Sequence, residues 1–162
     1  AGVPIGTLHS NIDYHLGLAL GLRGDDERSA EIWLAGLPAA RANEDRLVSH
    51  SYWTWLALKR LGRDAEAAQV LAPIRPTMNI LENEGYHALL LHFRGEISRE
   101  ELLKGVVPGT TEFATRAYGA GRKARIDGDG DAAQILFAEV VKTGPMAAFG
   151  CIAAEVEIGR SP

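Results

Sequence analysis

The chain has 162 residues, enough for one domain with a sizeable core, and its 46% hydrophobic and 23% charged content is that of an ordinary globular protein. With 17 basic against 21 acidic residues the net charge is −4, and no basic block of the kind that phosphate contacts need is present, so nothing favours nucleic acid. No apolar run approaches the ~18–20 residues of a membrane helix, and the single cysteine, Cys151, excludes an internal disulfide and an all-cysteine zinc site.

Residues 1–9, AGVPIGTLH, have no helical period and predict an extended arm. A start at Ala1 fits a processed secretory protein, a trimmed methionine or a chain cut from a longer one. A first helix is expected from about Asn11 to Arg23, closed by Gly24 because the left-handed position after a helix favours glycine. Asp25 or Asp26 can cap the second, which runs to about Leu37 and stops at Pro38. A polar connector leads to a long aromatic helix, EDRLVSHSYWTWLALKRL, closed by Gly62. DAEAAQVLAPI follows from Asp64 and stops near Pro73 and Pro76. A third pair is predicted to begin at Thr77, as TMNILENEGYHALLLHF, and to turn at Gly95. Ser98 and Glu101, three apart, form a capping box for a short helix ending near Val106. The fourth pair begins near Thr111, turns at Gly128, restarts at Asp129 or Asp131 and ends at Gly144. Pro145 suits the first turn of a last helix, MAAFGCIAAEVEI, in which Cys151 reads as a buried structural thiol. No stretch reads as a strand, so the expected fold is all-α, with nine helices.

The turn glycines Gly24, Gly62, Gly95 and Gly128 are spaced 38, 33 and 33 residues apart. A period in the thirties built of helical hairpins marks an α-solenoid, in which each unit buries its apolar face on its neighbours. Small residues at Gly17, Ala88 and Gly121 let paired helices approach, and Trp33 and Phe137 can fill the space between hairpins.

The pattern resembles the tetratricopeptide repeat family. In the first repeat Leu16, Gly17, Leu20, Ser29, Trp33 and Gly36 fit; in the fourth Gly121, Ala124, Ala133, Phe137 and Pro145 fit. The second keeps Leu58, Ala67 and Leu71 but has Trp55 at a small position, and the third keeps Ala88 and Leu91 and then truncates its second helix. The resemblance implies about four hairpins, near 10–42, 48–76, 81–107 and 114–147, in a repeat domain spanning 10–162 and capped by 145–159. From His50 to Ile158 the segments WTWLALKRLGR, ILENEGYHALLLHFRGEIS and AFGCIAAEVE are similar to bacterial periplasmic tetratricopeptide proteins of the NlpI lipoprotein type. That group consists of adaptors that dock hydrolases or a protease in the cell envelope, which implies a periplasmic or secreted location over a cytoplasmic one. Its lipidated cysteine has no counterpart here.

In tetratricopeptide arrays the first helix of each pair lines a concave groove. The resemblance then carries the groove to Tyr14 and His15; to Tyr52, Trp53 and Arg60; to Glu82, Tyr86 and His92; and to Tyr118, Arg122 and Arg125. Aromatics and arginine are the side chains that most often anchor binding, and arginine grips carboxylates in a two-pronged geometry. The expected ligand is a protein or peptide segment, acidic or bearing a free C-terminus. The alternative is a structural or accessory subunit, or a homo-oligomer, held through the outer helices or the N-terminal arm.

The remaining motifs carry less. His87 and His92 are five apart and lack the i, i+4 spacing of a helical metal pair; His50 stands alone, with Glu82 or Glu84 within reach between hairpins. Arg23-Gly24-Asp25 reads as one helix end followed by a cap. Asp127 to Asp131 begins like a calcium loop, but its twelfth position is Ala138, and the turn reading is preferred. No nucleophile elbow, phosphate loop or Cys–His pair appears, so no catalytic residue, cofactor or metal is assigned.

Overall fold

The computed structural model describes residues 8–160. All regular structure among them is helical: α1 Leu8–Arg23, α2 Asp26–Ala40, α3 Glu44–Arg60, α4 Asp64–Leu71, α5 Glu84–Phe93, α6 Arg99–Leu103, α7 Thr111–Ile126, α8 Gly130–Thr143 and α9 Phe149–Gly159. The arm expected over 1–9 lies outside the described residues as far as Thr7, and Leu8 and His9 already belong to α1.

The four turn glycines make one turn, four times. Gly24, Gly62, Gly95 and Gly128 all have φ between 68° and 89°, where a side chain would be strained. In each case the following residue donates its N–H to the carbonyl five residues back: Asp25 to Leu20, Arg63 to Leu58, Glu96 to Leu91 and Asp129 to Ala124. This six-residue closure satisfies orphan carbonyls at the end of the first helix and reverses the chain into the second.

The chain divides into two compact units, Ala1–Leu90 and Leu91–Pro162. In the first, α1 packs on α2, α2 on α3 and α3 on α4. α3 is its centre: from His50 to Leu58 every residue is buried. The α1–α2 contact depends on Gly17, where an added Cβ would lie 2.7 Å from the Trp33 ring. Ser29 Oγ donates to the Gly17 carbonyl at 2.8 Å across the same contact. In the second unit α7 packs on α8, and α9 covers both. An added Cβ at Gly121 would meet Phe137 at 2.6 Å, and one at Gly150 would lie 2.3 Å from the Ala114 carbonyl oxygen, so α9 crosses α7 backbone to backbone. Cys151 is buried in this contact, and burial raises its thiol pKa.

Further boundaries differ from expectation. Pro38 does not end α2, which continues to Ala40: the exposed ring forfeits one hydrogen bond in the last turn, and Arg41 N–H closes the end on Leu37. Thr77 does not start a helix, because residues 77–83 are held as a loop on the start of α3. Asp45, 7% exposed, accepts from the backbone N–H groups of Leu81, Glu82 and Asn83 at 2.8–2.9 Å. Glu44 takes the Asn79 N–H at 2.6 Å. A carboxylate from another hairpin thus caps α5, which begins only at Glu84. Pro145 lies outside α9 in a turn closed by Ala148 N–H on its carbonyl, and the helix starts at Phe149.

Candidate binding surfaces

Six aromatic rings meet in the first unit. Tyr14 on α1 stands edge-on to Trp33 at 5.0 Å between centroids, and Trp33 stands edge-on to His50 at 5.1 Å. Trp33 stacks parallel to Trp53 at 6.4 Å. Tyr52 contacts Trp53 and Tyr86, each at 4.9 Å. The cluster is tied by polar tips as well as faces: Trp53 Nε1–H donates to Tyr14 Oη at 2.8 Å, and Tyr14 also shares a hydrogen bond with Tyr86. Burial, then the neighbouring Tyr86, raises the Tyr14 phenol well above its ordinary 10.0.

The structure therefore brings Tyr14, Tyr52, Trp53 and Tyr86 together. Tyr52 and Trp53 are interior, 1% and 8% exposed, while Tyr14 and Tyr86 are half-buried and reach solvent. His15 is exposed, with Nδ1 2.7 Å from the Asn11 carbonyl oxygen. Arg60 turns back to α1 and α2, donating to the Gly21 carbonyl at 3.1 Å and to Asp26 at 3.2 Å. The side chain of Glu82 is exposed; its backbone N–H is held by Asp45.

Asp45 owes its charged state to these contacts. Burial disfavours the charge, but the backbone N–H groups of Glu82, Leu81 and Asn83 and the Asn83 side chain outweigh it and hold the carboxyl below its ordinary value.

His50 is 6% exposed and opens onto a cleft of about 320 Å³ between α1, α2 and α3. Its imidazole pKa is lowered to about 4, by burial first and by Arg46 second, with Asp13 opposing. The charges that act on it are Arg46 and Asp13, not Glu82 or Glu84. Neither Asp13 nor Arg46 was expected as a site residue. A signal was available for Arg46, four residues before His50 and so on the same face of α3.

In the second unit the expected groove residues are mostly interior. Tyr118 is 2% exposed and packs on Phe137 at 5.8 Å; Arg122 is 5% exposed. Both arginines converge on one acid that sequence reasoning missed: Arg122 Nη1 lies 2.6 Å from Glu157 Oε1, and Arg125 Nη1 lies 2.7 Å from Glu157 Oε2. Arg125 also covers the Phe137 ring at 4.9 Å. Glu157 follows Ala153 and Ala154 by four and three residues, so the helical period already placed it on the buried face of α9. His92, half-buried, has Nδ1 2.9 Å from the Ile97 carbonyl oxygen and borders a smaller cleft of about 220 Å³ with Arg99 and Lys123. The charges there are paired, Arg99 with Asp129 at 3.7 Å and Lys123 with Asp127, and Asp129 caps α8 through Ala132 N–H.

Among the described residues no cluster of three or more metal-ligating side chains occurs, and no helix is long and apolar enough to cross a membrane. No protein-family model, curated protein or solved structure matches the chain.

Proposed function

We propose that this chain is a non-catalytic, tetratricopeptide-like repeat module that binds a protein or peptide segment on the tyrosine edges of α1 and α5. The observation that carries the reading is the Tyr14–Trp53–Tyr86 network, in which two tyrosines reach solvent and are held rigid by an indole behind them. Large, pre-ordered amphipathic rings give contact area at low entropic cost. The recurrence of one turn at four glycines supports the repeat reading. The likeness of 50–158 to periplasmic adaptors supports an envelope protein as partner. Because Arg122 and Arg125 already share Glu157, the tyrosine edges, not these arginines, are the groups offered to that partner.

The test is affinity capture from the native source with the wild type, a Tyr14→Ala/Tyr86→Ala double variant and an Ile135→Ser variant, each confirmed folded by circular dichroism. Loss of a partner only in the tyrosine variant supports the reading. Loss only with Ile135→Ser favours the accessory-subunit reading. That alternative has one observation in its favour: Ile135 and Met146 are large apolar side chains left 67% and 86% exposed.

A further inference from the structure

The cleft of about 320 Å³ in the first unit carries two opposite charges that do not meet. Asp13 comes from α1 and Arg46 from α3, and both line the cleft. Among the described residues neither side chain forms an ion pair with the other or with any third group. His50 itself is 94% buried by its 6% exposure, faces the cleft, and has no hydrogen-bond partner for its ring nitrogens among the described residues. A neutral imidazole offers one donor and one acceptor to a molecule in the cleft. The α2 wall is apolar, formed by Ile32, Ala35, Gly36 and Ala39.

These features define a complement. A ligand with only a carboxylate would satisfy Arg46 and be repelled by Asp13; one with only an ammonium would do the reverse. A small zwitterion satisfies both, and an apolar side chain suits the α2 wall. The volume sits at the lower end of the ~300–1,000 Å³ range of small-molecule pockets, too small for a folded partner.

We propose that the α1–α2–α3 cleft binds a free α-amino acid with an apolar side chain, its carboxylate on Arg46, its ammonium on Asp13 and its side chain against Ile32, Ala35 and Ala39. His50 supplies a further hydrogen bond. The site goes beyond the protein-binding reading and stands without it.

The test is isothermal titration calorimetry of the whole chain with L-leucine, L-valine and L-isoleucine, then with N-acetyl-L-leucine, L-leucinamide and L-leucyl-L-leucine. The variants are Asp13→Asn and Arg46→Gln. Asp13 is exposed and Arg46 half-buried, so both variants should fold, which a thermal melt checks. Expected is saturable binding of at least one of the three free amino acids. That binding should weaken roughly tenfold or more in each variant, the size of one lost charge-assisted hydrogen bond. The acetylated and amidated forms should bind correspondingly weakly. Any of three results would overturn the proposal: no saturable binding of the three amino acids, N-acetyl-L-leucine as tight as L-leucine, or wild-type affinity in both variants. Tighter binding of the dipeptide than of L-leucine would also overturn it, in favour of a peptide end.

Discussion

The α1–α2 and α7–α8 hairpins are built on one plan and finished with different chemistry. Counted from the turn glycine, Tyr14 and Tyr118 occupy the same position, as do Gly17 and Gly121, and Trp33 and Phe137. In both, a ring from the second helix lies where the first helix has no Cβ, and in both that ring touches the tyrosine. The divergence comes one turn further along, where Leu18 and Gly21 in the first hairpin correspond to Arg122 and Arg125 in the second. The first hairpin is therefore completed by neutral aromatics and the cleft beside His50. The second is completed by a buried ionic cluster on Glu157. The shared plan is the packing solution; the differing positions are where each unit has room for its own chemistry.

The shared part is the most sensitive. Trp33→Ala and Phe137→Ala should each destabilise by ~3–5 kcal/mol, since both rings are 1% exposed or less and the neighbouring glycine offers nothing to refill the space. Urea unfolding measures this. A loss under 1 kcal/mol in one hairpin and not the other would break the equivalence.

That shared plan is legible in the sequence because it depends on short, fixed separations. A glycine with a bulky ring sixteen residues on, bracketing a turn glycine, is visible without coordinates. The capping box at Ser98 and Glu101 is visible for the same reason. What the sequence hides are the polar contacts between distant segments. Asp45 captures backbone groups at 81–83, and Glu157 gathers Arg122 and Arg125, across separations of more than thirty residues. A backbone N–H leaves no mark in a residue pattern, so Thr77 reads as a cap although the cap is Asp45. Tyr52 and Trp53 read as groove residues because they lie on a first helix, yet every residue of α3 from His50 to Leu58 is buried.

The ionic finish of the second hairpin can be removed in two ways that separate charge from packing. Arg122→Leu takes from Glu157, 2% exposed, its ion pair at 2.6 Å, and should cost ~3 kcal/mol or more. Arg122→Leu with Glu157→Leu removes the buried charges together and should recover much of that loss. If the double variant is no more stable than the single one, Glu157 is not the reason Arg122 is buried.

The cleft between the first hairpin and α3 should respond instead to pH. The groups facing His50 are Asp13, His9 and Tyr14 from α1 and Arg46 from α3. Its pKa of about 4 lies below the 6.5 of a free imidazole. Between those values the unfolded chain takes up a proton that the folded chain refuses. Stability is therefore unaffected above about pH 6.5, falls as the pH drops towards 4, and loses at most ~3 kcal/mol through this group. Urea titrations of wild type and His50→Gln at pH 7 and pH 4.5 check it: the variant should lose distinctly less between the two, and parallel losses would put the acid sensitivity elsewhere.

The smallest effect concerns the hairpin in which the plan is cut short. α6 has 5 residues where α2 and α8 have 15 and 14, too few to hold a helix by its own hydrogen bonds. Two things fix it. Leu102 is fully buried, and the ends of the first turn are tied reciprocally, Glu101 N–H to Ser98 Oγ at 3.1 Å and Ser98 N–H to Glu101 Oε2 at 2.7 Å. Ser98→Ala removes one half of that tie and should cost about 1 kcal/mol. Because α6 is short, the loss should show as local opening: faster hydrogen exchange at the Glu101 amide, with exchange in α7 and α8 unchanged. Leu102→Ala should instead destabilise by several-fold more and speed exchange throughout the second unit. If Ser98→Ala slowed nothing and quickened nothing at Glu101, burial of Leu102 alone would be what keeps this shortened hairpin folded.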